Sequence, residues 1–185
     1  DAGGLALEAG RLEEAEMLFR KAVLLDGLNP RGTYGLALAT AKKGNLPQAR
    51  RLMQAIAPDN KGGHGDAHFW RAIDLAQSGN GLQSNEVELF EHHLTQALAS
   101  ETTFAYRMQA HELLGKLYLA QGKLNKAESH LEIASKSFPG LLINFAKVHA
   151  SQGNPGTSER ILTDAVAKYR EIIDADAQNV EPRLL

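Results

Sequence analysis

The chain of 185 residues contains no cysteine. That excludes disulfides, a thiol nucleophile and any thiolate metal site, and it leaves the compartment, cytoplasmic or periplasmic, undecided. Aromatic residues make up 6% and tryptophan occurs once, which is poor material for a β-sandwich. No apolar run approaches the ~20 residues needed to cross a bilayer, so direct membrane insertion is not expected, and no secretory leader pattern is visible. Charge of one sign is missing too: 20 Lys and Arg face 22 Asp and Glu, for a net charge of -2. No basic run has the density that a phosphate backbone rewards, so no nucleic acid is expected as a partner.

Catalytic signatures are equally scarce. There is no HExxH and no Cys-His set for a metal. Seven histidines are present, but His92 and His93 are adjacent on an expected helix, where their side chains should splay apart. The histidines are therefore expected to be solvated, with His111 and His130 at repeat positions that can face each other across a hairpin. Acidic pairs such as Glu13/Glu14 and Asp174/Asp176 fall on expected helix surfaces or ends rather than across a cleft. No serine sits in a nucleophile elbow. Gly3-Gly4 and Gly62-Gly63 are not followed by the Lys-Ser/Thr of a phosphate loop. The expectation is that the chain is not an enzyme, with no catalytic residue, no cofactor and no metal.

What is present is repetition. Gly10-Leu12-Ala15-Phe19, Gly44-Leu46-Ala49-Met53 and Gly122-Leu124-Ala127-Leu131 share one spacing. Ala22, Ile56 and Ala134 follow three residues on. Offsets of three and four put these residues on one helix face. The glycine marks the turn between two helices, where a positive φ is needed. The alanine lets two backbones approach, and the large residue fills the gap between helices. A second pattern precedes each glycine: Leu114, Gly115 and Tyr118; Leu36, Ala37 and Thr40; Phe145, Ala146 and His149.

These residues resemble the tetratricopeptide repeat, a helix-turn-helix unit of about 34 residues. The fullest match runs from about Met108 to Leu141 and carries Leu114, Gly115, Tyr118, Gly122, Ala127, Leu131, Ala134 and Pro139, with His111 where a bulkier residue is usual. The resemblance implies an all-α, right-handed superhelical solenoid of antiparallel helix pairs. About five hairpins are expected over residues 1–185 as a single repeat domain, the first hairpin truncated. The spacing predicts helices near 1–9, 12–26, 31–43, 46–57, 66–78, 86–100, 103–121, 124–137, 140–152 and 157–176. The last reads as about two turns longer than the norm. Irregular links are expected at 58–66 and 79–85. Phe90 stands where a small residue is usual, so a wider gap is expected there. A first residue other than Met and a new helix opening near Glu181–Leu185 lead to the expectation of a fragment from a longer repeat protein.

The resemblance also implies a concave face lined by the first helix of each hairpin, which receives a peptide or helix of a partner protein. By register the candidate partner-binding residues are Arg31, Tyr34 and Lys42 in the second hairpin, Arg71 in the third, Glu112 and Lys116 in the fourth, and Asn144 and Lys147 in the fifth. Leu38, His68, Gln109, Leu119 and Ile143 are neighbours in the same register. Several are basic, so the expected partner is a protein or peptide of acidic character. A chaperone-tail clamp is not carried over, because Glu112 stands where that set needs Lys. The expected role is a protein-binding scaffold or adaptor. The alternative is a structural spacer in a larger envelope-assembly or polysaccharide-export machine. Homo-oligomerisation through the chain ends stays open, and Trp70 reads as core or as contact residue.

Overall fold

The computed structural model describes residues 1–27, 29–77, 82–100 and 104–180, the last five of these as backbone alone. Among the described residues the regular structure is helical: α1 Ala2–Glu8, α2 Leu12–Leu25, α3 Pro30–Lys42, α4 Leu46–Ile56, α5 Gly65–Gln77, α6 Val87–Ala99, α7 Arg107–Ala120, α8 Leu124–Ser135, a 3-10 turn Pro139–Leu141, α9 Leu142–Ser151 and α10 Pro155–Val180. The chain divides into two compact units, Asp1–Arg107 and Met108–Leu185.

The helices start and stop where the sequence supplies caps. The Asp1 carboxylate accepts the Gly4 N–H at 2.6 Å, and Asn29 accepts the Gly32 N–H at 3.1 Å ahead of Pro30 in the first turn. Four hairpin turns are built alike. Gly10, Gly44, Gly122 and Gly153 have φ of 72, 88, 69 and 80°. In each, the residue after the glycine donates its N–H to a carbonyl five residues back: Arg11 to Ala6, Asn45 to Thr40, Lys123 to Tyr118 and Asn154 to His149, at 2.8 to 3.1 Å. This paired closure satisfies carbonyls that a helix end leaves open. Residues 79–81 of the irregular link expected at 79–85 lie outside the described residues.

In the first unit, Phe19 of α2 packs with Ala6, Ala15, Leu36 and Ala39. Its ring fills a notch between Gly3 of α1 and Gly35 of α3, where added Cβ atoms would stand 2.8 and 2.3 Å from ring carbons. Ala37, Met53, Ala57 and Ala67 form the next layer across α3, α4 and α5, with Tyr34, Leu38 and Trp70 against it. Small residues at the crossings thus set how closely the helices nest.

In the second unit, Ala127 and Leu131 of α8 are fully buried. A Cβ at Gly115 would lie 2.7 Å from Leu131 Cγ, so α7 meets α8 at close range. Leu142, Ala146, Ile161 and Ala165 form the α9–α10 core. Three boundaries differ from the sequence expectation. Helix α7 begins at Arg107, after a turn at 105–106, because Phe104 turns inward as core. Pro139 opens a 3-10 turn ahead of α9. Helix α10 runs 26 residues, past the expected end at 176.

Candidate functional site

Arg31, Tyr34 and Leu38 follow offsets of three and four on α3 and so share a face. They line a cleft of about 330 Å³ whose floor includes Phe19 and Gly35 and whose wall on the α5 side is His64 and Asp66. A second cleft of about 430 Å³ lies beside it, between Lys42 of α3, Arg50 of α4 and Trp70 and Asp74 of α5. Leu38 lines both. The two hollows therefore adjoin on a surface supplied mainly by the first helices of successive hairpins.

His64 reaches the first cleft because the 58–66 link folds back on α4. The His64 N–H donates to the Ile56 carbonyl at 2.8 Å. A Cβ at Gly63 would stand 2.2 Å from that same carbonyl oxygen, so the approach requires glycine. The His64 ring then stacks on Tyr34, with centroids 5.1 Å apart and an interplanar angle of 27°. Burial raises the Tyr34 phenol pKa well above its usual range, and the charges of Asp66 and Tyr106 add to the rise. Its hydroxyl therefore stays a hydrogen-bond donor. Burial lowers the His64 pKa, opposed by Asp66 and aided by Arg31. The His64 Nδ1 is buried with no hydrogen-bond partner among the described residues. Tyr106 lies flat on Phe69, with centroids 5.0 Å apart at 7°, and forms an exposed rim.

The other sequence candidates divide. Lys42 is exposed at the second cleft. Trp70 is half-buried, packed on the core along one side and lining that cleft along the other. Arg71 is turned inward: its guanidinium donates to the Ala57 carbonyl at 2.7 Å and pairs with Asp59, so it braces the link. In the second unit, Lys116 pairs with Glu112 one helical turn away at 2.6 Å. On α9, Asn144 is half-buried and Lys147 exposed. His64, Asp66 and Tyr106 lay outside the register argument. The Gly-rich 58–66 link was the sequence signal for His64 and Asp66, and Tyr106 had none.

The expectation of solvated histidines is overturned. His68 and His93 have no exposed surface and His149 has 9%. Each is enclosed because a neighbouring helix presents a partner. His68 Nδ1 and His93 Nδ1 are 2.9 Å apart across α5 and α6; His111 and His130 do face each other across α7 and α8 as their repeat positions led one to expect, with Nδ1 atoms 2.9 Å apart. Burial brings His68 down to about 4, His93 to about 3 and His130 to about 4, with neighbouring cationic groups adding to each shift. His92 and His93 do not splay into solvent either. His68 closes a triangle with them, and the three rings gather with potential ligand nitrogens all within 4.8 Å of one another.

Residues 6–73 match the tetratricopeptide repeat family. Cellulose synthase 1 operon protein C of Komagataeibacter xylinus is 25% identical over 177 residues, which is 91% of this chain and 13% of that protein. The chain thus spans a small part of that relative's length. Among solved structures, MamA aligns with a TM-score of 0.62 at 15% identity, over 94% of this chain and 98% of its own. YrrB, described as a tetratricopeptide repeat protein with an unusual peptide-binding site, aligns with a TM-score of 0.59 at 18% identity, over 97% and 93%. Likeness at these identities speaks for the fold.

Proposed function

We propose, for a chain whose residues 6–73 belong to the tetratricopeptide repeat family, a non-catalytic scaffold that holds an acidic peptide segment of a partner protein on the α1–α3–α5 face. The carrying observation is the pair of adjoining clefts sharing Leu38, with exposed Arg31 at one and exposed Lys42 at the other. The chemistry suits an extended peptide. Tyr34 offers a hydroxyl donor, its ring stacked on His64, and Trp70 an apolar flank. Peptide polar groups pair with the hydroxyl, while the two cations attract carboxylates over a distance set by ionic strength. Asp66 lies in the first cleft and limits how far the acidic preference extends there.

The test is a titration of the full chain with an acidic decapeptide pool, followed by backbone amide chemical shifts. Saturable shifts concentrated on α1, α3 and the start of α5 are expected. Shifts concentrated elsewhere, or none at low salt, defeat the reading.

A second reading is favoured by a different surface. Leu162, Val166, Tyr169 and Ile173 of α10 follow helical spacing and are 40 to 64% exposed. Repeat arrays cover such stripes with the next helix pair. Together with the similarity to a small part of a much longer cellulose synthase operon protein, this supports a spacer segment within a larger assembly of polysaccharide-export type. Replacing the segment in the intact protein by an unrelated helical repeat of equal length separates the two readings. A spacer tolerates the exchange, and a peptide-binding scaffold does not.

A further inference from the structure

We propose that His68 of α5 and His92 and His93 of α6 form a binding site for a divalent transition metal of the zinc class, which pins the two helices of this hairpin together. The ring centroids stand 5.1 Å apart for His68–His93, 5.4 Å for His92–His93 and 6.0 Å for His68–His92. Three imidazoles around one zinc ion, each bound at about 2.0–2.1 Å, place their ring centres roughly 5 Å apart. The observed triangle is that size, so coordination asks for small ring rotations rather than helix movement. The 2.9 Å separation of the His68 and His93 Nδ1 atoms needs to open by only a few tenths of an ångström to match the ~3.3 Å edge of such a tetrahedron.

With His68 and His93 binding through Nδ1, the third ligand is the Nε2 of His92, which is buried with no hydrogen bond among the described residues. A buried polar atom left unpaired is costly, and the metal takes up this one. The surroundings also fit a ligand set. Asp59 Oδ1 lies 3.4 Å from His93 Nε2, the place of an outer carboxylate that fixes a ligating ring and its tautomer. Arg71 pairs with Asp59 and holds it there. Oxygen-seeking Mg²⁺ and Ca²⁺ are poorly served by three imidazoles. With the ligands buried between two helices, the role is structural, and the remaining coordination position falls to water.

The experiment uses the full chain after chelator treatment. Zn²⁺ is added under calorimetry, and Co²⁺ serves as a spectroscopic substitute. One equivalent of Zn²⁺ is expected to bind, with tetrahedral Co²⁺ absorption and no response to Mg²⁺. At free Zn²⁺ about a hundred times Kd, the Tm should rise by roughly 5–10 °C. His92→Gln should abolish binding, as should His68→Gln, while His111→Gln retains it. Because His68 is fully buried and its variant can unfold, the half-buried His92 position carries the decision, checked by unchanged helicity. Absence of saturable one-equivalent binding, or binding retained in a folded His92→Gln chain, overturns the site.

Discussion

Gly35→Ala tests whether backbone closeness governs the packing. An added Cβ would lie 2.3 Å from Phe19 Cε1, 2.4 Å from Cζ and 2.5 Å from Cδ1, against a carbon contact optimum of about 3.5–4.0 Å. The ring cannot simply turn aside, because Gly3 already holds its other flank at a distance that leaves no room for a Cβ. Two terms compete. Replacing a mid-helix glycine gains about 0.8–1.0 kcal/mol of helix propensity. Overpacking costs about 1–3 kcal/mol, and the three short contacts place this site in the upper half of that range. The net expectation is a loss of about 1–2 kcal/mol. Trp70, in the same unit, gives the fluorescence signal for urea unfolding, and the midpoint should fall with m unchanged. Gly32→Ala is the internal control, since its Cβ meets only ordinary contacts from 3.5 Å and should leave stability equal or slightly higher. Combining Gly35→Ala with Phe19→Leu should cost less than the sum. A Gly35→Ala chain as stable as wild type, or more stable, refutes the reasoning.

Other expectations follow the same physics. Leu131→Ala empties a fully buried position against Gly115 and should cost about 2–5 kcal/mol by thermal or urea unfolding. Asp74→Ala removes the two hydrogen bonds to Arg50, at 2.8 and 3.0 Å. Because the pair is solvent-exposed, the cost should stay below about 1 kcal/mol and shrink with salt. His130 is lowered to about 4 from 6.5 by burial, then by His111 and Lys126. The unfolded chain therefore takes up its proton first as pH falls below 6.5, so the second unit should lose stability between pH 6.5 and 4 and keep it above. The slope is at most about 1.4 kcal/mol per pH unit, less after solvent screening. An imidazole NMR titration of His130 with a midpoint near 6.5 contradicts this.

The repeat was legible because each of its parts has a local cause. Gly44 and Gly122 announce turns by conformation, and Ala49 and Ala127 announce close crossings by size. Both follow from spacing within a dozen residues. Helical register alone placed Tyr34 and Arg31 on the one face that lines the first cleft. His64 and Asp66 were not assignable, since their position depends on how the 58–66 link folds onto the Ile56 carbonyl. The histidine triangle was hidden for a related reason. His68 and His93 are 25 positions apart, on helices joined by the irregular 79–85 link, so no repeat spacing in the sequence relates them. Adjacent His92 and His93 suggest divergence until a ring from α5 is seen to close a triangle with them. The inward turn of Arg71 was not legible, because register locates a helix face but not the competing acceptors, Asp59 and the Ala57 carbonyl, that draw a long side chain inward.

The central claim, an acidic peptide held across the two adjoining clefts, is tested most directly through Trp70, the one tryptophan of the chain, which lines the second cleft. Its emission is followed while acidic, neutral and basic decapeptide pools are added to wild type and to Lys42→Glu. The account predicts a saturable change with the acidic pool, weakened by salt and by the charge reversal. Equal responses to all three pools, indifferent to salt and to Lys42→Glu, contradict it.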